Sequence, residues 1–218
     1  MKLRSVYVKG HGVVGDLSVD VRGEDGVVPR SFGIWGETGT GKSLVFKMIR
    51  AAWMKSVLGR DDYELWPGAS GYVTFEVDDE VFLVRVQDGV AEGNAGLGKL
   101  SNLEKVQHCL TSYGDNRIWS ESGKKTLGER NVYWLLRDAM MSGVARESIV
   151  LVDDFDVGLD SFSRERVYYE LFKIHGALGN QVILTGINSV SAIQRYVTLN
   201  GRKGDWVLDL REKLKMQH

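Results

Sequence analysis

The chain has 218 residues, a length that fits one domain burying about 70% of the surface its unfolded form exposes. Its formal net charge is -1 with 26% charged residues, which excludes a global basic field of the kind that draws nucleic acid, though not a local basic patch. Cys109 is the single cysteine, so an internal disulfide and a thiolate metal cluster are excluded, and the four histidines (His11, His108, His175, His218) lack metal-ligand spacing.

The opening, MKLRSVYVKGHGVVGDL, lacks the apolar core of about 7–15 residues and the cleavage site of a signal peptide. No stretch reaches the ~18 apolar residues of a membrane span. A soluble, cytoplasmic chain without membrane insertion is expected. Residues 3–9 and 16–22 alternate apolar and polar around a short Gly-containing segment and read as a β-hairpin. SFGIW (31–35) is a short strand feeding a Gly-rich turn. LVFKMIRAAWMKSVLG (44–59) is apolar around much of its circumference, as expected of a helix packed under a sheet, with Gly59 as C-cap.

GYVTFEVDDEVFLVRVQDG (71–89) holds two alternating runs about Asp78 and Asp79, a second antiparallel hairpin. Residues 90–100, with several glycines, read as a mobile loop, and SNLEKVQHCLTSYG (101–114) as a short helix. Thr126 and Glu129 form an S/T-x-x-E capping box, followed by Val132, Leu135, Leu136, Ala139 and Met140 at helical spacing. SIVLVDDFDVGLD then gives a buried strand over 149–152, and a helix is predicted around 161–176 with Val167, Leu171 and Ile174 inward. QVILTGI (181–187) is a last buried strand, and DWVLDL (205–210) an edge strand. Helices alternating with strands at both ends, with hairpins inserted, predict an α/β fold with a mixed central sheet, an antiparallel β lobe and a small helical lobe over 88–147, all in one domain spanning 1–218.

GETGTGKS, residues 36–43, satisfies G-x-x-x-x-G-K-[ST] between a predicted strand and a predicted helix, the setting a P-loop (Walker A) requires. Gly36, Glu37, Thr38, Gly39, Thr40 and Gly41 form the turn. Its glycines let backbone N–H groups curl around phosphates without Cβ clashes, and the helix that follows directs its unpaired amides at them. Lys42 would reach the β- and γ-phosphates, and the Ser43 hydroxyl would ligate Mg²⁺. Four apolar residues and then Asp153 fit the Walker B pattern, with Asp153 holding Mg²⁺ from the end of a neighbouring strand. Successive strand side chains face opposite ways, so Asp154 is free to orient the attacking water or take its proton. A bound dication also offsets the repulsion between these adjacent acids.

IVLVDDFDVGLD resembles the Walker B motif and D-loop of ABC-class ATPases, with Gly158, Leu159 and Asp160 matching the Gly-Leu-Asp of that loop. MKLRSVYVKGHGVVGDLSVDV is similar to the N-terminus of SMC- and RecF-like members, where Lys9, Gly10 and His11 would border the adenine. This resemblance covers 1–59 and 120–190. It implies ATP and Mg²⁺ as cofactors, an ATP-dependent homodimer, and a signature motif bound to the partner's γ-phosphate. KTLGER supplies that motif in one register, with Thr126, Gly128 and Glu129, and Leu127 where the family has glycine. The other register uses Ser122 and Gly123. Gln87 is a candidate Q-loop glutamine or a plain strand-end residue.

The chain also departs from the pattern. Asp154 stands where the family has Glu, and Ile187, followed by Asn188, where it has the switch histidine. Losing one positioned donor costs about 10²–10³ in rate, so slow hydrolysis is expected. Only residues 44–147 separate the two nucleotide motifs, which leaves no room for coiled-coil arms and predicts a minimal head. A dimerising ATPase in DNA repair, DNA maintenance or mobile-element biology is one reading, with DNA or a protein as the further partner. A nucleotide-gated interaction module with little turnover is the other, and a transporter subunit a third.

Overall fold

The structure is a computed structural model and describes residues 1–11, 15–22, 26–35, 39–61, 65–92, 110–113, 148–153, 159–186 and 206–209. The first strand, β1 (Lys2–His11), turns back as β2 (Gly15–Asp20), and β4 (Ser70–Val77) and β5 (Glu80–Gln87) form the second hairpin. With the short β6 (Val90–Ala91) they make an antiparallel sheet in the order β2-β1-β4-β5-β6. The alternation read from the sequence is the pleat itself. On β5, Phe82, Val84 and Val86 are buried while Val81, Leu83 and Arg85 face outward.

The second sheet is wholly parallel among the described residues, in the order β10-β3-β9-β8-β7. It comprises β3 (Ser31–Trp35), β7 (Leu110–Tyr113), β8 (Ile149–Val152), β9 (Gln181–Gly186) and β10 (Trp206–Asp209). Every residue of β8 and β9 is buried, as their unbroken apolar runs require of strands covered on both faces. The mixed α/β class expected from the sequence is thus observed, with its two strand directions segregated into separate sheets.

Helix α1 (Lys42–Leu58) packs against β1, β4, β5 and β6. Its Val45, Phe46, Met48, Ile49, Ala52, Trp53 and Met54 share one apolar cluster with Phe32, Ile34, Ile149, Leu151 and Ile183 of the parallel sheet. Contact with both sheets explains why the helix is apolar around most of its girth. Gly59 ends it in the left-handed conformation at φ 63°. The Gly59 and Arg60 amides donate to the Lys55 and Met54 carbonyls at 3.2 and 3.1 Å, satisfying carbonyls of the last turn. Helix α2 (Ser161–Ala177) places Leu171 fully in the core and Ile174 half-buried.

One expectation is corrected. The short helix over 101–114 does not extend through 110–113, which instead pair in parallel with β8, Leu110 opposite Ile149 through Tyr113 opposite Val152. Thr111 and Tyr113 suit a strand, and the open edge of β8 offers ladder hydrogen bonds that a final helical turn cannot match. The span assigned to a helical lobe therefore supplies β6 to one sheet and β7 to the other. The remainder of that lobe, the expected loop from 93 onward and the capping-box helix lie outside the described residues.

Two buried polar groups join the parts. The Gln181 side chain accepts from the Leu3 amide at 2.6 Å and donates to the Leu3 and Pro29 carbonyls at 3.2 and 3.1 Å. It sits where the pairing of β1 with β4 shifts register between Leu3 and Ser5, and so ties the parallel sheet to the antiparallel one. At the start of β8, Asn180 Oδ1 accepts from the Ser148 amide and hydroxyl at 2.9 and 3.0 Å. That fixes the amide orientation, so Asn180 Nδ2 faces His175 Nδ1 at 3.2 Å and donates to it. His175 is fully buried at 0% exposure, and burial pushes its imidazole down to about 4.

Candidate functional site

The site is built at the carboxyl ends of three adjacent parallel strands, where open α/β sheets receive ligands. Strand β9 lies between β3 and β8. Its Thr185 pairs with Ile34 of β3, and its Leu184 with Val152 of β8, so Asp153 emerges beside Thr185. Neighbouring strands are spaced about 4.8 Å. The turn leaving β3 and the acid leaving β8 are therefore about 10 Å apart in backbone terms, room for a phosphate group and its cation.

The described end of the 36–43 turn has the backbone expected of it. Gly39 and Gly41 adopt φ 87° and 94°, values open to glycine and strained for other residues. Gly41 is the N-cap of α1, and its carbonyl accepts the Val45 amide at 3.1 Å. Among the described residues no side chain caps this helix, and its first turn carries no acid. The positive end of the helix dipole faces the turn, a setting that favours an anion. Lys42 is only 5% exposed, Thr40 is half-buried and Ser43 is exposed. Gly36, Glu37 and Thr38 lie outside the described residues.

Asp153 is half-buried and accepts a hydrogen bond at Oδ1 from the Thr185 hydroxyl. Thr185 is fully buried. Its part in the site has no local signature, because the bond spans 32 positions along the chain. The only sequence cue is a hydroxyl directly after the apolar run Val182, Ile183 and Leu184. Asp160 is exposed and caps α2, its Oδ1 accepting the Phe162 amide at 2.9 Å and its carbonyl the Arg164 amide at 3.0 Å. Leu159 beside it is buried.

Gln87 is the exposed last residue of β5, opposite Val90 of β6. Lys9 is exposed near the end of β1, opposite Ser70, and Gly10 and His11 complete that strand. Asp154, Gly158, Thr126, Gly128, Glu129, Ser122, Gly123, Ile187 and Asn188 lie outside the described residues. The donors that are described fit a hard dication: a carboxylate with one oxygen already held, and a hydroxyl at the head of the helix.

The described elements form an α/β domain in which a strand, two left-handed glycines and a helix stand two strands from an acid. No family model and no curated protein matches the chain. Among solved structures it is similar to the SMC head domain from Thermotoga maritima, at 15% identity over 89% of this chain and 92% of that one, with a TM-score of 0.47. It is also similar to an SMC head bound to the C-winged helix domain of ScpA, at 11% identity over 88% and 92%, with a TM-score of 0.49. A bacterial ABC transporter cassette in dimeric form matches at 15% identity over 96% and 94%, with a TM-score of 0.41. Such identities and scores carry no activity, ligand or partner from them to this chain.

Proposed function

We propose that the chain is an ABC-type ATPase that binds ATP with Mg²⁺, dimerises around it and hydrolyses it slowly. The observation that carries this reading is the buried Lys42 at the head of a helix whose N-cap is Gly41, behind Gly39, with Asp153 held at the end of the strand beyond β9.

In this reading the amides of 36–43 and the Lys42 ammonium bind the β- and γ-phosphates. Ser43 and Asp153 hold Mg²⁺, which offsets phosphate charge when bound. Asp154 orients the attacking water and accepts its proton. Thr126, Gly128 and Glu129 contact the γ-phosphate held by the partner subunit, Asp160 serves as the D-loop acid, and Gln87 serves as the Q-loop residue. The energy gained at the shared γ-phosphate closes the dimer, so ATP concentration sets the dimer population. The shorter Asp154 carboxylate and the absence of a switch histidine at Ile187 keep turnover low. DNA or a protein is the further partner, and the cytoplasm is the proposed setting.

The test is phosphate release by the full chain. Turnover that requires Mg²⁺ and vanishes in Lys42→Ala supports an ATPase. Nucleotide binding without release in the wild type supports instead the gated interaction module, which the Asp154 and Ile187 departures also favour.

A further inference from the structure

Strand β9 is buried along its whole length, and Thr185 is its one hydroxyl among Val182, Ile183 and Leu184. An apolar residue would pack there at no polar cost, whereas a buried hydroxyl is unfavourable unless it is hydrogen-bonded. Its donor bond goes to Asp153 Oδ1 on the next strand. The register brings this partner in: Val152 lies opposite Leu184, so the next residue of the β8 chain meets Thr185. On its other side Thr185 pairs with Ile34, one residue before the end of the strand that delivers the phosphate turn.

We propose that Thr185 is a positioning residue for the metal-binding carboxylate: its hydroxyl holds one oxygen of Asp153 and leaves the other to the cation. This rests on the reading of Asp153 as a ligand of the nucleotide-bound Mg²⁺. A carboxylate turns freely about its last torsion, and an anchored oxygen removes that freedom before the cation arrives. Outer partners of this kind orient ligands directly bound to a metal and are worth about 10- to 100-fold in metal affinity. Because β9 touches both neighbouring strands, the same residue fixes the acid relative to the phosphate turn.

The experiment measures Mn²⁺ affinity by electron paramagnetic resonance for the full chain saturated with AMPPNP, alongside calorimetric AMPPNP affinity in EDTA. Thr185→Val should weaken Mn²⁺ binding about 10- to 100-fold and leave the EDTA value unchanged, and Thr185→Ser should restore wild-type Mn²⁺ affinity. Should Thr185→Val not fold, Thr185→Ala removes the same hydroxyl and is held to the same outcomes. Wild-type Mn²⁺ affinity in the Val or Ala variant would overturn the proposal. So would an equal loss of nucleotide affinity in EDTA, which marks a purely structural role. Asp153→Asn separates the two levels. If it keeps wild-type Mn²⁺ affinity, the metal assignment itself is wrong. If it loses that affinity while Thr185→Val does not, only the role of Thr185 is wrong.

Discussion

Lowering the pH from neutral should destabilise the chain through His175, whose imidazole joins α2 to the start of the strand that carries Asp153. The ring is fully buried, and its Nδ1 accepts from an Asn180 amide whose orientation is fixed by Ser148. A proton on Nδ1 would face another N–H, and a charge would be desolvated. The fold therefore holds the imidazole neutral, lowering it from 6.5 to about 4.

A basic group lowered on folding is protonated first in the unfolded chain. The unfolded state thus binds the extra proton between the two values, and stability falls with pH across that window before levelling below about 4. The full gap corresponds to roughly 3 kcal/mol, of which about 2 kcal/mol is lost between about pH 7.5 and about pH 5. Urea unfolding of the wild type and His175→Gln across that range isolates the contribution, since the variant lacks the titrating group and carboxylate effects cancel in the difference. Parallel pH profiles for the two proteins, or a resonance assigned to His175 (the one lost in His175→Gln) titrating near 6.5 in the folded state, would refute the reasoning.

Gly71→Ala tests the approach of β4 to β1. At φ 152° an added Cβ would overlap the Tyr7 carbonyl oxygen and come within 3.2 Å of Met48 Cε on α1. A loss of about 2 kcal/mol or more is expected in thermal or urea unfolding. Asp160→Ala should cost about 1 kcal/mol by removing the α2 cap, and Asp160→Asn much less, because the amide oxygen still accepts the Phe162 amide. Asp154→Asn should preserve ATP binding, slow phosphate release and accumulate an ATP-bound dimer on a sizing column. A variant that stays monomeric at saturating ATP and Mg²⁺ would contradict the sandwich. Gly128→Arg should abolish ATP-induced pairing while leaving nucleotide affinity per chain intact, as read by calorimetry and sizing. A collapse of that affinity would place the signature register elsewhere.

Elements dominated by local pattern were legible. The alternation of β1, β2, β4 and β5 and the glycine that ends α1 each follow from a few neighbouring residues, and all appear in the structure. The left-handed backbone at Gly39 and Gly41 was legible for the same reason, because glycine there answers a need that the spacing displays. Strand β7 was missed because its conformation is set by pairing with β8, 39 positions away for Leu110 and Ile149. Long-range polar ties left still less trace. Gln181 reaches Leu3 across 178 positions, and Thr185 reaches Asp153 across 32. Neither pair has a periodicity, and only folding brings the partners together. The segregation of strand directions into two sheets is likewise a product of topology, which hydropathy patterns do not encode.

Calorimetric titration of the full chain with AMPPNP, with Mg²⁺ and with EDTA, tests the central claim most directly. The wild type should bind one nucleotide per chain and more tightly with Mg²⁺, Lys42→Ala should lose binding, and Asp153→Asn should lose only the gain from Mg²⁺. Binding that ignores Mg²⁺, or survives in Lys42→Ala unchanged, would contradict a phosphate site formed by the 36–43 turn and the acid at the end of β8.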